Sequence, residues 1–570
     1  MKGENKYTRR NFVGTIGLAT GGLYLLPLAV SCKSDASKKS ISAGKNISKD
    51  FNADVDIQLK AVRSNTQIVS SGTSDTYSYK AFLNKGAKGT LQELEGRSLG
   101  PIIRVKKGDK VRIRFENEIP EKSIIHWHGL HVSHENDGHP EYVIGNGETY
   151  FYEFEVLNKA GTYWFHPHPH RTTGEQVYKG LAGLFIVEDE EEKALQLPTG
   201  DYDIPVVIQD RTFDENGQLV YLPNGKMDRM RGFLGNQILI NGKIDKTLSL
   251  NKDGKYRLRL LNGSNSRAYK LAWNTGEPLT VFGVDGGLLE RPKMLPYLLL
   301  GPAQRVDVWL DLTNKTENEE IKLVHMPIPL DKMMGGGMMD GGMMGGGMMG
   351  GGMMGNTNTN ALPYDSQFDI LNIKVGVSKK NESSLPESLP GASHLNLADA
   401  INKNAPRTFN FGMEDMMEWT INGRTYNGME VADDEIVKLN TTEIWRINNG
   451  GNITATGQND GGGMMGMHGN GGMMGNGGSM GNMMQMPHPI HIHQLQFNIV
   501  NRNIDNVDQN LWDVVKDGFV DEGWQDSVYL LPGMYMDLVM RFENFKGLFL
   551  YHCHNLEHED MGMMRNFKIE

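Results

Sequence analysis

Ile102-Ile103-Arg104-Val105-Lys106-Lys107-Gly108-Asp109-Lys110-Val111-Arg112-Ile113-Arg114-Phe115 holds two runs in which apolar and basic side chains alternate, with Gly-Asp between them. Successive side chains of a strand point to opposite faces, so alternation with period two marks a strand with one buried face. Gly108-Asp109 supplies the turn between the two. The same alternation returns at Tyr256-Arg257-Leu258-Arg259-Leu260-Leu261-Asn262 and at Arg305-Val306-Asp307-Val308-Trp309-Leu310. From about 51 to 570, short β-rich runs closed by Gly, Pro or Asn recur, and long helical periodicity is hard to find. This pattern predicts an all-β chain of β-sandwich domains. Polar breaks near 191–203 and 376–405 divide it into three parts of similar size, 51–190, 200–375 and 400–570.

The chain has 570 residues, which corresponds to roughly three to five domains. Apolar residues make up 39% and charged residues 22%, a balance that excludes global disorder. The formal charge is -11, and residues 1–32 contribute +3 through Lys2, Lys6, Arg9 and Arg10 against Glu4, which leaves -14 for the remainder. A body this acidic repels nucleic acid and attracts cations, so no nucleic-acid partner is expected.

Residues 1–32 carry Arg9-Arg10, an apolar and glycine-rich stretch from Ile16 to Val30, and then Ser31-Cys32. A charged head, an apolar body and small residues before a cut site describe an export signal, and the paired arginines point to the twin-arginine route. Pro27 and the glycines make a spanning helix poor, which disfavours a short membrane anchor. Leu28-Ala29-Val30-Ser31-Cys32 resembles a lipoprotein cleavage box, with Ala29 where Leu is usual, so a lipid anchor at Cys32 is an expectation. Residues 33–50 are Ser/Lys-rich and read as a flexible tether. The expected location is the periplasm or cell envelope.

Glycine (69) and methionine (34) are both in excess, while the two cysteines, Cys32 and Cys553, allow at most one disulfide. Much of the excess lies in Met333–Met354, five Met-Met pairs with Gly-rich spacers, and in Met464–Met486, nine methionines with His468. Glycine maximises chain entropy and the spacers offer no apolar surface, so both segments are expected to be mobile insertions. A tolerated repeat expansion is one reading. Exposed methionine is prone to oxidation, however, and a concentration of thioethers fits a task for soft sulfur, which selects Cu(I).

Four segments concentrate the chemistry: His126-Trp127-His128-Gly129, His166-Pro167-His168, His488-Pro489-Ile490-His491-Ile492-His493, and His552-Cys553-His554 running on to His558 and Met563. Residues i and i+2 of a strand share a face, so each His-x-His pair aims two imidazoles one way. In the last segment the Cys553 sulfur must point away from His552 and His554. His488 lies an odd three residues before His491, which puts it on the side of Cys553 if the strand is regular. The residues therefore sort into two groups. His488, Cys553, His558 and a candidate axial thioether, Met563, describe a blue-copper electron-transfer centre. His126, His128, His166, His168, His491, His493, His552 and His554 form the second group, and eight neutral imidazoles can hold three copper ions with positions open for oxygen. The backbone at Cys553 wires one group to the other. Such a one-electron acceptor joined to a three-metal cluster suits four-electron reduction of dioxygen; zinc, with no redox chemistry, would not use the wire.

These four motifs resemble those of the multicopper oxidases, the family of laccases, bilirubin oxidases and bacterial cuprous oxidases. The likeness covers most of residues 95–570 and extends to Gly100–Arg104, Asn262–Arg267, Asp285–Pro292 and Gly523–Asp526. It implies three cupredoxin-like Greek-key domains, with a trinuclear cluster between the first and third and a blue copper in the third. It implies four copper ions: a type 2 copper on His126 and His491, a type 3 pair on His128, His166, His168, His493, His552 and His554, and a type 1 copper on His488, Cys553, His558 and Met563. Glu559 and Asp137 match acidic positions that the family uses for proton delivery, although single carboxylates also serve as ordinary ion-paired groups.

The chain looks most like the periplasmic cuprous oxidases, which carry methionine-rich insertions near the type 1 site. Met483, Met484 and Met486 directly precede His488, and Met413, Glu414, Asp415, Met416 and Met417 form a second thioether-carboxylate group. Either could hold substrate Cu(I), with hydrophobic packing the alternative for Met416 and Met417. The long runs here fall at 333–354 and 464–486, whereas the family's insertion lies at about the second group. Dioxygen and either Cu(I) or a small phenol are the expected partners. Three functions compete: a Cu(I) oxidase for copper tolerance, a laccase-like phenol oxidase, and a copper buffer without turnover.

Overall fold

The structure of the protein, a computed structural model, describes residues 48–94, 98–329, 361–391, 394–414, 418–450 and 485–570. Ile102–Lys106 and Lys110–Glu118 are strands, and Gly108 turns between them at φ +89°, where a side chain would be strained. Asp109 closes the turn: its amide donates to the Lys106 carbonyl at 3.0 Å and its carboxylate accepts from the Lys106 amide at 2.8 Å. The two strands do not pair with each other. Ile102–Lys106 lies in a five-stranded sheet between Leu91–Gln92 and Gly183–Glu188, and Lys110–Glu118 in a four-stranded sheet between Val55–Val69 and Thr149–Glu155. The turn thus carries the chain across a sandwich, and Ile103 and Val105 meet Val111, Ile113 and Phe115 in one core. Alternation records only which face is buried, so it reads alike for a hairpin and for an arch between sheets.

Two more sandwiches follow. In the second, a six-stranded sheet containing Asp203–Arg211, Lys255–Asn262 and Arg305–Asp311 packs on a five-stranded sheet containing Tyr269–Trp273, Glu320–His325 and Phe368–Ser378. In the third, a sheet with Arg407–Glu414, Thr441–Asn448 and Tyr535–Phe542 covers one with His488–Ile492, Gly547–Cys553 and Met564–Ile569. Phe409, Trp445 and Leu538 meet Tyr551, Cys553 and Phe567 in that core. Helices among the described residues are short, and none is long and apolar enough to cross a membrane.

The basic positions of Lys255–Asn262 face away from the second core but not into water. Arg259 donates through Nε to Asp203 Oδ1 at 2.6 Å and through NH1 to Thr162 Oγ1 of the first sandwich at 2.9 Å. Arg104, also of the first sandwich, reaches Asp203 Oδ2 at 2.9 Å, and Arg257 pairs with Asp307 at 2.6 Å. Burial alone would raise the Asp203 carboxyl, yet Arg259, Arg257 and Arg104 hold it down at about 2. Removing one partner of such a buried pair leaves an uncompensated charge, a cost of about 3–5 kcal/mol. Asp203→Asn should therefore lower the thermal midpoint at pH 7. Because the folded-state carboxyl is depressed, its contribution is present above about pH 4 and lost as pH falls through about 2. The midpoints of variant and wild type should converge at that acidic end; a gap that persists undiminished there contradicts the assignment.

Candidate metal centre

Strand Ile125–His128 runs antiparallel to Gly161–Pro167 with His126 opposite His166, and His488–Ile492 runs antiparallel to Gly547–Cys553 with His491 opposite His552. Trp127 and Phe165 enter the first core, while Ile490, Ile492 and Cys553 enter the third. Period two then turns the intervening histidines out of their own sandwiches and toward each other. All eight imidazoles meet between the first and third sandwiches, each at most 1% exposed. The His126 and His491 Nε2 atoms lie 3.2 Å apart, His168 and His552 Nε2 3.3 Å, and His493 and His552 Nε2 3.1 Å. The nitrogens converge in groups of three, His128 with His166 and His554, His168 with His493 and His552, and His126 with His491 and His128.

The proton on each ring can largely be assigned from its oxygen neighbours. His126 Nδ1 donates to the Asp137 carbonyl at 2.6 Å, His491 Nδ1 to the Asp526 carbonyl at 2.7 Å, and His493 Nδ1 to Asp137 Oδ2 at 2.8 Å. His166 Nδ1 donates to the Pro167 carbonyl at 2.9 Å, and His552 Nδ1 to the Cys553 carbonyl at 3.1 Å, with Glu559 Oε2 3.2 Å away. Each of these rings therefore presents Nε2 as a lone pair to the interior. His128 is reversed, with Nε2 at 3.1 Å from Asp526 Oδ1 and Nδ1 without a partner.

A metal ion fits this arrangement. His166 Nε2 and both nitrogens of His554 are buried without hydrogen-bond partners, a costly state for polar atoms. Lone pairs about 3 Å apart repel unless a cation lies between them, and metal–nitrogen bonds of about 2 Å give that spacing. Burial pushes His126, His128, His168, His491, His493 and His554 well below the usual imidazole range, aided by neighbouring rings, and His166 to about 3, so these rings are neutral, the form that fits a metal ion.

The second group lies inside the third sandwich. Cys553 Sγ is 3.4 Å from His488 Nδ1 and 3.7 Å from His558 Nδ1, and those two nitrogens are 3.4 Å apart. Asn555 caps helix Leu556–Asp560 by accepting from the Glu557 and His558 amides, which brings His558 back over Cys553. Met563 is fully buried in the same core, and its carbonyl accepts the Cys553 amide at 3.0 Å. Burial pushes the Cys553 thiol up, so ionising this sulfur requires a cation against it. The two groups are joined covalently by the peptide bonds on either side of Cys553.

Asp137 and Glu559 are both buried at the eight-histidine group, Glu559 also lying 3.7 Å from His168 Nε2. Met413 and Met486 are half-buried against the third core. Met483, Met484, Asp415, Met416, Cys32 and the run 333–354 lie outside the described residues, as does 464–484 of the second run. Sequence reasoning assigned no role to Trp419, whose ring lies 4.4 Å from that of His558 and 5.0 Å from that of His488, or to Met230, whose carbonyl accepts from His558 Nε2 at 3.0 Å. Their partners are distant in sequence, so no local motif marks them.

Family models described as multicopper oxidase match residues 76–192, 205–319 and 478–570. A multicopper oxidase of Staphylococcus aureus is 30% identical over 521 residues, covering 91% of this chain and 90% of its own. A laccase of Bacillus subtilis is 27% identical over 82% of this chain and 88% of its own. Among solved structures, the McoA multicopper oxidase of Aquifex aeolicus aligns with TM-score 0.68 at 29% identity, covering 91% of this chain and 97% of that one. One from Campylobacter jejuni, described as a metallo-oxidase, aligns with TM-score 0.64 at 25% identity over 92% and 93%. The chain belongs to the multicopper oxidase family. It is an oxidoreductase of three cupredoxin-like domains whose histidine clusters fit copper, and the family uses dioxygen and a reducing substrate.

Neutral imidazoles in the folded chain gain protons on unfolding below about pH 6.5 and above their lowered folded-state values, so the metal-free fold loses stability from about pH 6.5 down towards about pH 3. Calorimetry of metal-free protein at pH 5, in two buffers of different ionisation enthalpy, should show several protons taken up on unfolding. Uptake of none contradicts the neutral cluster.

Proposed function

We propose that this chain holds four copper ions and couples the oxidation of Cu(I) to Cu(II) to the four-electron reduction of dioxygen to water, serving copper tolerance. His488, Cys553, His558 and Met563 would hold the type 1 ion, His126 and His491 the type 2 ion, and the remaining six histidines the type 3 pair. Bound copper would supply the one-electron steps that no side chain here can perform.

The observation that carries the substrate reading is the cover over the thiolate group. His488 and His558 are fully buried, Trp419 lies against both rings, and the His558 Nε2–H that a phenol would need is already donated to the Met230 carbonyl. A small ion handing over an electron needs no direct contact with that edge, whereas a bulky phenol does. The methionine-rich runs and the metallo-oxidase relative agree with a soft cation as donor. Likeness to a laccase favours phenol oxidation as the second reading. A buffer without turnover would consume no oxygen. For location we infer the cell envelope, reached by the twin-arginine route, with Cys32 as a lipid anchor; Arg9-Arg10 and the cleavage box support it.

Within this reading Asp137 and Glu559 move protons. Burial holds the Asp137 carboxyl well above its ordinary range, which suits it to carry a proton beside His493, and Glu559 reaches both His552 and His168. Glu559→Gln should slow oxygen consumption by on the order of 10²-fold while copper content stays unchanged. An unaltered rate removes Glu559 from proton delivery. The substrate reading is tested by steady-state oxygen uptake with Cu(I) and with a bulky phenol, using Cys553→Ser as control. Rapid uptake with Cu(I), slow uptake with the phenol and none in the variant are expected; the opposite preference establishes the laccase reading.

A further inference from the structure

Among the described residues the middle sandwich contributes no side chain to either histidine group, yet one of its arginines reaches the cluster's edge. Arg305 is fully buried, and all its side-chain donors are used. Nε donates to the Thr162 carbonyl of the first sandwich at 2.9 Å. NH1 donates to the Ala303 carbonyl at 3.1 Å and to Asp526 Oδ1 at 2.7 Å. NH2 donates to the Asp285 carbonyl at 3.2 Å and to Asp526 Oδ2. Asp285, also fully buried, accepts the Arg305 amide at 2.8 Å on Oδ1, and the Asp526 and Ser527 amides at 3.3 and 3.2 Å on Oδ2. The Asp526 backbone and carboxylate are thus both gripped from the middle domain. A planar five-donor guanidinium can do this where an ammonium cannot.

What Asp526 does with that grip is specific. Its Oδ1 takes His128 Nε2 at 3.1 Å, its carbonyl takes His491 Nδ1 at 2.7 Å, and the Ser527 hydroxyl lies 3.2 Å from His128 Nε2 and 3.3 Å from His491 Nδ1. His128 is the one ring of the group that offers Nδ1 inward through such a contact. Without a fixed acceptor at Nε2, its proton is free to sit on Nδ1, the nitrogen that must be a lone pair. Gly129 shows how close the packing is: a Cβ there would lie 2.4 Å from Asp526 Oδ2 and 2.9 Å from Arg305 NH2, at φ +87°. The glycine that ends His-Trp-His-Gly makes room for this contact.

We infer that Arg305 and Asp285 are positioning residues of the metal cluster: they clamp Asp526 so that His128 keeps the tautomer and orientation required of a ligand. The inference rests on the eight-histidine copper assignment and is independent of which substrate supplies electrons. Loss of such an outer partner typically costs about 10–100-fold in metal affinity or activity. The test compares copper-loaded wild type with Arg305→Met and Arg305→Lys by copper per chain, the near-ultraviolet absorption of the coupled pair, and the blue absorption of the thiolate site. Both variants are expected to lose cluster copper and the near-ultraviolet band while keeping the blue band, with kcat at least about tenfold lower and KM unchanged. A full copper complement with an unchanged near-ultraviolet band in Arg305→Met overturns the proposal. If that variant loses the blue band too, the isosteric Asp526→Asn decides: selective loss of cluster copper supports the clamp, and an unaltered spectrum and metal content overturn it. Wild type that binds only the blue copper overturns the cluster assignment, and the inference with it.

Discussion

Alternation along one strand governs the whole arrangement. In Gly547–Cys553 and the two residues around its end, the odd position sends a sulfur into the third core while the even positions send His552 and His554 out to the neighbouring sandwich. A thiolate site inside a domain and an imidazole cluster between domains are thereby separated by a peptide bond on each side of Cys553. A helix could not divide them in this way, because neighbouring residues there differ by about 100° in direction rather than 180°. The same parity in Ile125–His128 and His488–Ile492 supplies the facing ligands.

Because the cluster lies between sandwiches, most of the oriented imidazoles are held by groups outside their own strands, while His166 and His552 use the carbonyls of Pro167 and Cys553 beside them. Asp137 fixes His126 and His493, Glu559 sits at His552, and Asp526 fixes His128 and His491. These contacts bear on which nitrogen holds the proton before any metal arrives, and they come from loops, from helix Leu556–Asp560 and from the far sandwich. Several inward nitrogens remain unsatisfied in the fold itself. Metal binding and domain docking are therefore linked, since the ligand set is complete only when the first and third sandwiches are held together. The middle sandwich holds them through the Arg259–Asp203–Arg104 charges on one side and Arg305 on another.

The clustering of these side chains was legible in the sequence because each sits in a short motif whose spacing alone sets direction. His488 was the harder case: Pro489 left its strand geometry open, and the observed pairing of Ile490 with Cys553 places it beside the sulfur. Strand existence was equally legible at Ile102–Phe115, but not its pairing, since period two does not say which sheet a strand joins. Arg257 and Arg259 show in the sequence only as the polar positions of an alternating strand; their partners, which bind the second sandwich to its neighbour, do not. Met230, Trp419, Asp285 and Arg305 acquire meaning from contacts with residues far along the chain, as in Met230 with His558 and Arg305 with Asp526. No local spacing encodes such partners.

On the proposed function, one buried sulfur and eight buried imidazoles form two distinct copper sites joined through Cys553. Anomalous diffraction at the copper edge from crystals of the metal-loaded protein tests it most directly. One peak enclosed by Cys553 Sγ, His488 Nδ1 and His558 Nδ1 is expected, with three more among His126, His128, His166, His168, His491, His493, His552 and His554. Copper found elsewhere, with the Cys553 sulfur unligated, would contradict it.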